Sequence, residues 1–283
     1  MQQNTDWLTN DSRPKRKGKD SVFCDLFNIP RYATEITQAL HPELSITEHD
    51  ITLVSLSTVL MVRPYNDLGI LVKNKLLLCS EAQSTWSLNV LVRMFMYLAE
   101  TYHRYIQSHK EMNLYGSKKL VLPIPECCVI YTGNDKNVPD ELSLAEEFFN
   151  NHSHLDLRVK VLTKPGTGNI IQQYIRFCHI FDDQIRLHGR TKQSIENTIR
   201  ICQDEGVLAD YLSERSKEVE NIMKTLFSQE EATERYGNAC REEGKIEIVL
   251  AMLKDNQPLD FIARISNFSK EKISEIGRLH GML

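Results

Sequence analysis

The residue types most suited to chemistry stand close together, in Asn66-Asp67-Leu68-Gly69-Ile70-Leu71-Val72 and in Lys75 through Glu81-Ala82-Gln83-Ser84. Both halves are short and apolar, and the polar Lys73-Asn74-Lys75 between them has hairpin length. Antiparallel pairing about that connector brings Asp67, at the open end of the first strand, beside Glu81 and Gln83 near the end of the second. Alternation along a strand puts Glu81 and Gln83 on one face. Two carboxylates and an amide at the rim of an apolar sheet suit magnesium, a hard cation that takes oxygen ligands and keeps several waters. Such an ion can activate water and stabilise a pentacovalent phosphate. The same spacing also fits a solvated Asp at a turn and a solvated Glu at a strand end. Taken alone, so short a pattern favours that plainer reading.

Other constellations are weaker. His152 and His154 stand in a loop-like stretch, and His103, His109 and His179 have no ligand spacing. Ser84 and Ser87 lack a nucleophile-elbow frame. Gly166 and Gly168 lack the third glycine of a dinucleotide fingerprint and the Lys-Ser/Thr of a phosphate-binding loop. The seven cysteines form no Cys-x-x-Cys pair, which points to a reducing compartment and no zinc site. Cys79, Cys127 and Cys128 lie in apolar runs, where a thiol acts as a small hydrophobe.

These residues need elements to position them. Val22, Phe23, Leu26 and Phe27 share one side of a short helix, Pro30 restarts the pattern, and a second helical piece runs to His41-Pro42. Residues 51–62 are β-branched and apolar, as in a buried strand. From Asn89 to Ile106, Val90, Met94, Tyr97, Leu98, Tyr102, Tyr105 and Ile106 recur at helical spacing, with Ser87 as N-cap. Strands are expected at 126–132 and 157–163, then a helix over 169–187. After Thr191 only helical patterns remain, broken at Gly206.

The 283 residues, 41% hydrophobic and 25% charged, suit one sizeable core with an appended segment. We divide them into a polar, basic arm (1–19), a main domain (20–190) and a helical C-terminal region (191–283). No apolar run approaches the ~18 residues of a membrane span, and the first residues lack the apolar core of a secretory signal. A cytoplasmic protein without a membrane partner is the expectation. The net charge of −4 does not advertise nucleic acid. The cluster Arg13, Lys15, Arg16, Lys17 and Lys19 would attract phosphate backbones or would simply be solvated. The tail carries 13 Lys+Arg against 17 Asp+Glu. Its amphipathic helices must dock on the core, on a second copy as a homo-oligomer, or on another protein. PLDFIARISNFSKEKISEI (258–276) reads as two short helices joined at Ser266-Asn267, better suited by its few cations to a protein partner than to DNA.

In order along the chain, DSVFCDLF (20–27), YNDLGILV (65–72), KLLLCSEAQST (75–85), NVLVRMFMYL (89–98), PIPECCVIYTG (123–133), LRVKVL (157–162) and GVLADYLSERSKEV (206–219) resemble the recombination-promoting nuclease and transposase family, the Rpn family, of the PD-(D/E)XK nuclease superfamily. The resemblance covers residues 20–220. It implies an α/β restriction-endonuclease-like core, a mixed central sheet flanked by helices in the order α-β-β-β-α-β, with a helical C-terminal segment. It implies a Mg²⁺-dependent (or similarly cation-dependent) DNA endonuclease, linked to recombination and mobile DNA.

By the same resemblance, Asp67 is the motif aspartate and a metal ligand, Glu81 the second acidic ligand, and the Ala82 carbonyl a third. Gln83 stands where the superfamily most often has lysine. An amide can orient water but cannot neutralise charge, so the cation must carry more of the stabilisation or activity is low. Arg93 and Tyr97, four apart on one helix face, stand where some members have Gln-x-x-x-Tyr. Arg93 would contact DNA phosphate and restore the missing charge, or be a surface arginine packed on the sheet. Tyr97 would join it at the DNA or be core. Asp25 and Glu35 lie where some members place an acid near the metal. Both ligand acids are expected on a partly exposed rim. Two rivals stay open: a DNA-binding or mobile-element accessory protein with a nuclease fold and little catalysis, and an interaction module acting through the C-terminal helices.

Overall fold

The computed structural model describes residues 21–54, 56, 67–82, 86–133 and 135–282; within these, the side chains of 79–82, 229, 230, 232 and 233 stand outside the description. Two compact units divide the chain, Met1–Thr225 and Leu226–Leu283.

The first unit is α/β. Helix α1 (Val22–Phe27) starts at Ser21, whose hydroxyl accepts from the Cys24 N–H, and Pro30 opens α2 (Pro30–Leu40) at the position where a missing N–H does no harm. A 3-10 turn at Glu48–Asp50, boxed by Thr47 and Asp50, leads into β1 (Ile51–Val54). The remainder of the strand expected over 51–62 lies almost wholly outside the described residues. The hairpin is present: β2 (Asp67–Val72) and β3 (Lys75–Ala82) pair antiparallel from Val72↔Lys75 to Asp67↔Ser80. Lys73 takes the left-handed conformation in the turn (φ 50°) and its ammonium donates to the Ser45 carbonyl. Lys75 belongs to β3 itself and pairs with Glu126, so neither lysine stands free for a ligand.

Helix α3 (Asn89–Ser108) crosses over to β4 (Ile124–Tyr131), which runs parallel to β3. A parallel neighbour needs such a crossover. Then come β5 (Glu141–Ser143), α4 (Leu144–Phe149) and β6 (Arg158–Leu162). The six-stranded mixed sheet has the order β1-β2-β3-β4-β6-β5, with β6 parallel to β4 and β5 antiparallel at the edge. The run α2-β1-β2-β3-α3-β4 follows the expected α-β-β-β-α-β order. The sequence reading missed β5 and α4, because three residues are too few for a period-2 signal.

The α3 face of the sheet is apolar. Val90, Leu91, Met94 and Tyr97 pack with Leu76, Leu78, Val129, Tyr131, Val159 and Val161. Gly69 is where β1 crowds β2, since a Cβ there would meet the Val54 Cβ at 3.0 Å and its carbonyl at 3.1 Å. A separate aromatic cluster, Phe23, Phe27 and Tyr174 in edge-to-face contact, joins α1 to α5 (Ile170–His188). Buried Cys127 and Cys202 have thiols pushed up to about 12 by desolvation, as small hydrophobes should.

Helix α5 is boxed at its start by Asn169 and Gln172, and α6 (Lys192–Asp204) is capped by Thr191. Gly206 breaks the pattern as expected (φ 71°), and Ala209–Lys254 is helical again as α7, kinked at Arg215 (φ −129°, ψ 25°). The first compact unit therefore reaches past residue 190, where strand signals end, to Thr225. Buried Ile195, Leu212, Val219 and Met223 fall within it. In the second unit, α8 (Leu259–Ser266) and α9 (Lys270–Leu279) flank Asn267 in the left-handed conformation, and Val249, Leu253, Ile262, Ile273 and Ile276 form a small core. No helix of the described residues is long and apolar enough to cross a membrane.

Because the first unit has its own core, a chain ending at Thr225 should unfold in one cooperative urea transition, with stability within about 1 kcal/mol of that unit in the full chain. Circular dichroism through the titration checks this; a broad, non-cooperative loss of signal would refute it.

Candidate active site

Asp67 opens β2, and its side chain is only 3% exposed. This corrects the expectation of a partly exposed rim. The cause is tertiary: α3 packs across the sheet and lays Tyr97 over the carboxylate. Tyr97 is fully buried, and its hydroxyl donates to Asp67 Oδ2 at 2.5 Å. One turn earlier, Arg93 brings Nη2 to 4.0 Å from Asp67 Oδ1, with its side chain 41% exposed. The i, i+4 spacing that puts both residues on one helix face thus aims both at one carboxylate.

Burial first, and then the bond to Asp67, push the Tyr97 hydroxyl far above its ordinary range. It stays protonated and remains a donor throughout the physiological range. A wholly buried Tyr97 cannot lie against DNA; of the pair, Arg93 is the member that reaches solvent.

The hairpin register brings the expected acidic positions to one end of the sheet at the level of the backbone. Asp67 lies directly across from Ser80, and Glu81 follows one residue on, itself registered on Ile130 of β4. Ala82 ends β3 opposite Tyr131, the last residue of β4. The Glu81 and Ala82 side chains and the whole of Gln83 lie outside the description. The strand ends of parallel β3 and β4 meet here, the edge where open α/β sheets place their ligands.

The donor chemistry fits a hard cation. Oδ2 of Asp67 is committed to Tyr97, Oδ1 faces the guanidinium, and a carboxylate on a rigid strand is the kind of ligand magnesium takes. Among the described residues no group of three or more His, Cys, Asp or Glu stands together to hold a metal, so any further acid must come from the end of β3.

The other candidate acids are engaged elsewhere. Asp25 accepts the Arg215 guanidinium through both oxygens (2.8 and 3.0 Å) and the Tyr211 hydroxyl at 2.7 Å. Glu35 pairs with Arg31 at 3.4 Å, and desolvation raises its pKa above the usual carboxylate value. The Asp25–Tyr211–Arg215 cluster escaped the sequence reading. Its members are 186 and 190 residues apart, and no local pattern links them. Compared with known proteins, the chain matches no family model, no curated protein and no solved structure.

Proposed function

We propose that the chain is a divalent-metal-dependent DNA nuclease of the recombination-promoting nuclease type, with Asp67, Glu81 and Gln83 at its centre. The observation that supports this best is the carboxylate of Asp67, buried at the strand-end edge of the sheet, fixed by Tyr97 and faced by a half-exposed arginine. A carboxylate kept charged in so dry a place needs a counter-charge. Asp67, Glu81 and the Ala82 carbonyl would hold magnesium or a similar cation. When bound, such a cation supplies charge stabilisation at a phosphoryl group and lowers the pKa of water.

The chain's own residues do the rest. Tyr97 holds Asp67 in one orientation. Gln83 orients the attacking water through its amide but adds no charge. Arg93 offers the planar, permanently charged fork that suits a phosphate, and so stands in for the lysine that Gln83 replaces. Regular strand alternation gives Ser80 and Glu81 opposite faces, so a shared site with Asp67 asks the chain to leave that geometry at the end of β3.

Plasmid nicking by the full chain tests the reading. Nicking should need magnesium and stop with chelator; activity indifferent to chelator, or no nicking with magnesium, manganese or cobalt, would overturn it. Gln83→Lys should retain at least part of the rate, since both side chains are long and unbranched. Gln83→Leu should lose about 10- to 100-fold, the usual cost of removing a polar group that orients the reacting shell. A Leu variant as fast as the parent would remove Gln83 from the chemistry.

A further inference from the structure

We infer that Arg93 is the resident counter-ion of the Asp67 carboxylate, that it competes with an incoming divalent cation for the same oxygen, and that the cation drives it outward onto a phosphodiester anion. The inference rests on the metal-site reading above.

The two carboxylate oxygens are not equivalent. Oδ2 receives the Tyr97 hydroxyl at 2.5 Å. That hydroxyl belongs to a fully buried ring within the sheet–α3 core, so it cannot swing aside. Oδ1 is therefore the oxygen open to a cation. Arg93 Nη2 stands 4.0 Å from this same atom. That is too far for a hydrogen bond, but the acid is only 3% exposed, so little solvent screens the attraction.

Magnesium binds carboxylate oxygen at about 2.0–2.1 Å. A cation at Oδ1 would share its surroundings with the guanidinium, and the two positive charges repel. Each must weaken the other's hold on Asp67. Tyr97, being neutral, takes no part in the conflict and keeps the acid in place for either partner.

Arg93 also has somewhere to go. Its side chain is 41% exposed, against none for Tyr97 one turn on. The ligand to meet it outside is an anion of the geometry its fork matches, a phosphate oxygen pair. Cation and phosphodiester then favour the same outward position of Arg93 and should bind with positive cooperativity. An arginine that merely packs on the sheet would show neither effect.

Calorimetric titration of Mn²⁺ into the DNA-free full chain tests this, with the parent, Arg93→Gln and Arg93→Lys compared. Removing the charge should tighten Mn²⁺ binding about tenfold, within the usual range of coupling between sites, while Arg93→Lys should stay near the parent. In nicking assays Arg93→Gln should show a raised KM for DNA despite its tighter metal. In an Asp67→Asn background the Arg93→Gln change should no longer alter Mn²⁺ affinity. A parent that binds Mn²⁺ and an Arg93→Gln variant that binds it equally or more weakly would overturn the competition and leave the metal site standing. No Mn²⁺ uptake by any of the three proteins would overturn the metal site and, with it, this inference. Thermal unfolding of each variant checks that all three are folded before titration.

Discussion

Asp67→Ala should abolish metal-dependent nicking, with a loss on the order of 10²–10³-fold or more, the scale on which a single preorganised electrostatic group acts. The structure adds a second consequence. The Tyr97 hydroxyl is buried and donates to Asp67, so the Ala variant strands it without an acceptor. Leaving such a donor unsatisfied costs about 1–3 kcal/mol. Asp67→Ala should therefore lose both activity and some stability. Asp67→Asn separates the two effects, because its carbonyl oxygen can still accept from Tyr97 while the ligand charge is gone. We expect a urea midpoint near the parent for Asn, a lower one for Ala, and no nicking from either. Parent-like nicking by the folded Asn variant would remove Asp67 from the chemistry. Glu81→Ala should match the loss of activity; if it nicks normally, Asp67 works with a different acid.

The second large effect concerns stability. Asp25 on α1 holds α7 by three charge-assisted bonds, two from Arg215 and one from Tyr211. Tyr211 is fully buried, and burial followed by the bond to Asp25 pushes its hydroxyl far up, so it remains a donor. Arg215 is the residue at which α7 departs from helical angles, and the ion pair is the contact that meets its side chain there. Asp25→Ala leaves one buried hydroxyl and one guanidinium without their acceptor. Breaking a fully buried pair costs about 3–5 kcal/mol. Arg215 is 36% exposed and Asp25 16%, so water recovers part of that, and we expect about 2–3 kcal/mol. Asp25→Asn should cost less, because it still accepts one or two of the bonds. Urea unfolding reads both. Below its unfolding transition the Asp25→Ala protein should nick DNA like the parent, because the acid faces Arg215 and Tyr211. A normal midpoint with lost nicking would reverse this assignment and make Asp25 part of the site.

The elements that the sequence made legible are those set by near neighbours. The Asp67–Val72 and Lys75–Ala82 hairpin followed from two apolar runs about a polar connector, and β4 and β6 from short β-branched runs. Helix α3 followed from its apolar spacing, and the break at Gly206 from the loss of pattern there. Side-chain period and turn chemistry act over a few residues, so a single chain displays them. What needed the tertiary structure was contact between distant parts. The sheet order β1-β2-β3-β4-β6-β5 and the three-residue edge strand β5 depend on partners the local pattern does not name. The burial of Asp67 depends on α3 crossing the sheet, which brings Tyr97 across 30 residues of chain. Sequence spacing could say that Arg93 and Tyr97 share a helix face. Only packing decided that the tyrosine is buried against the acid while the arginine keeps one side in water, because burial is a property of the assembled core and not of the helix.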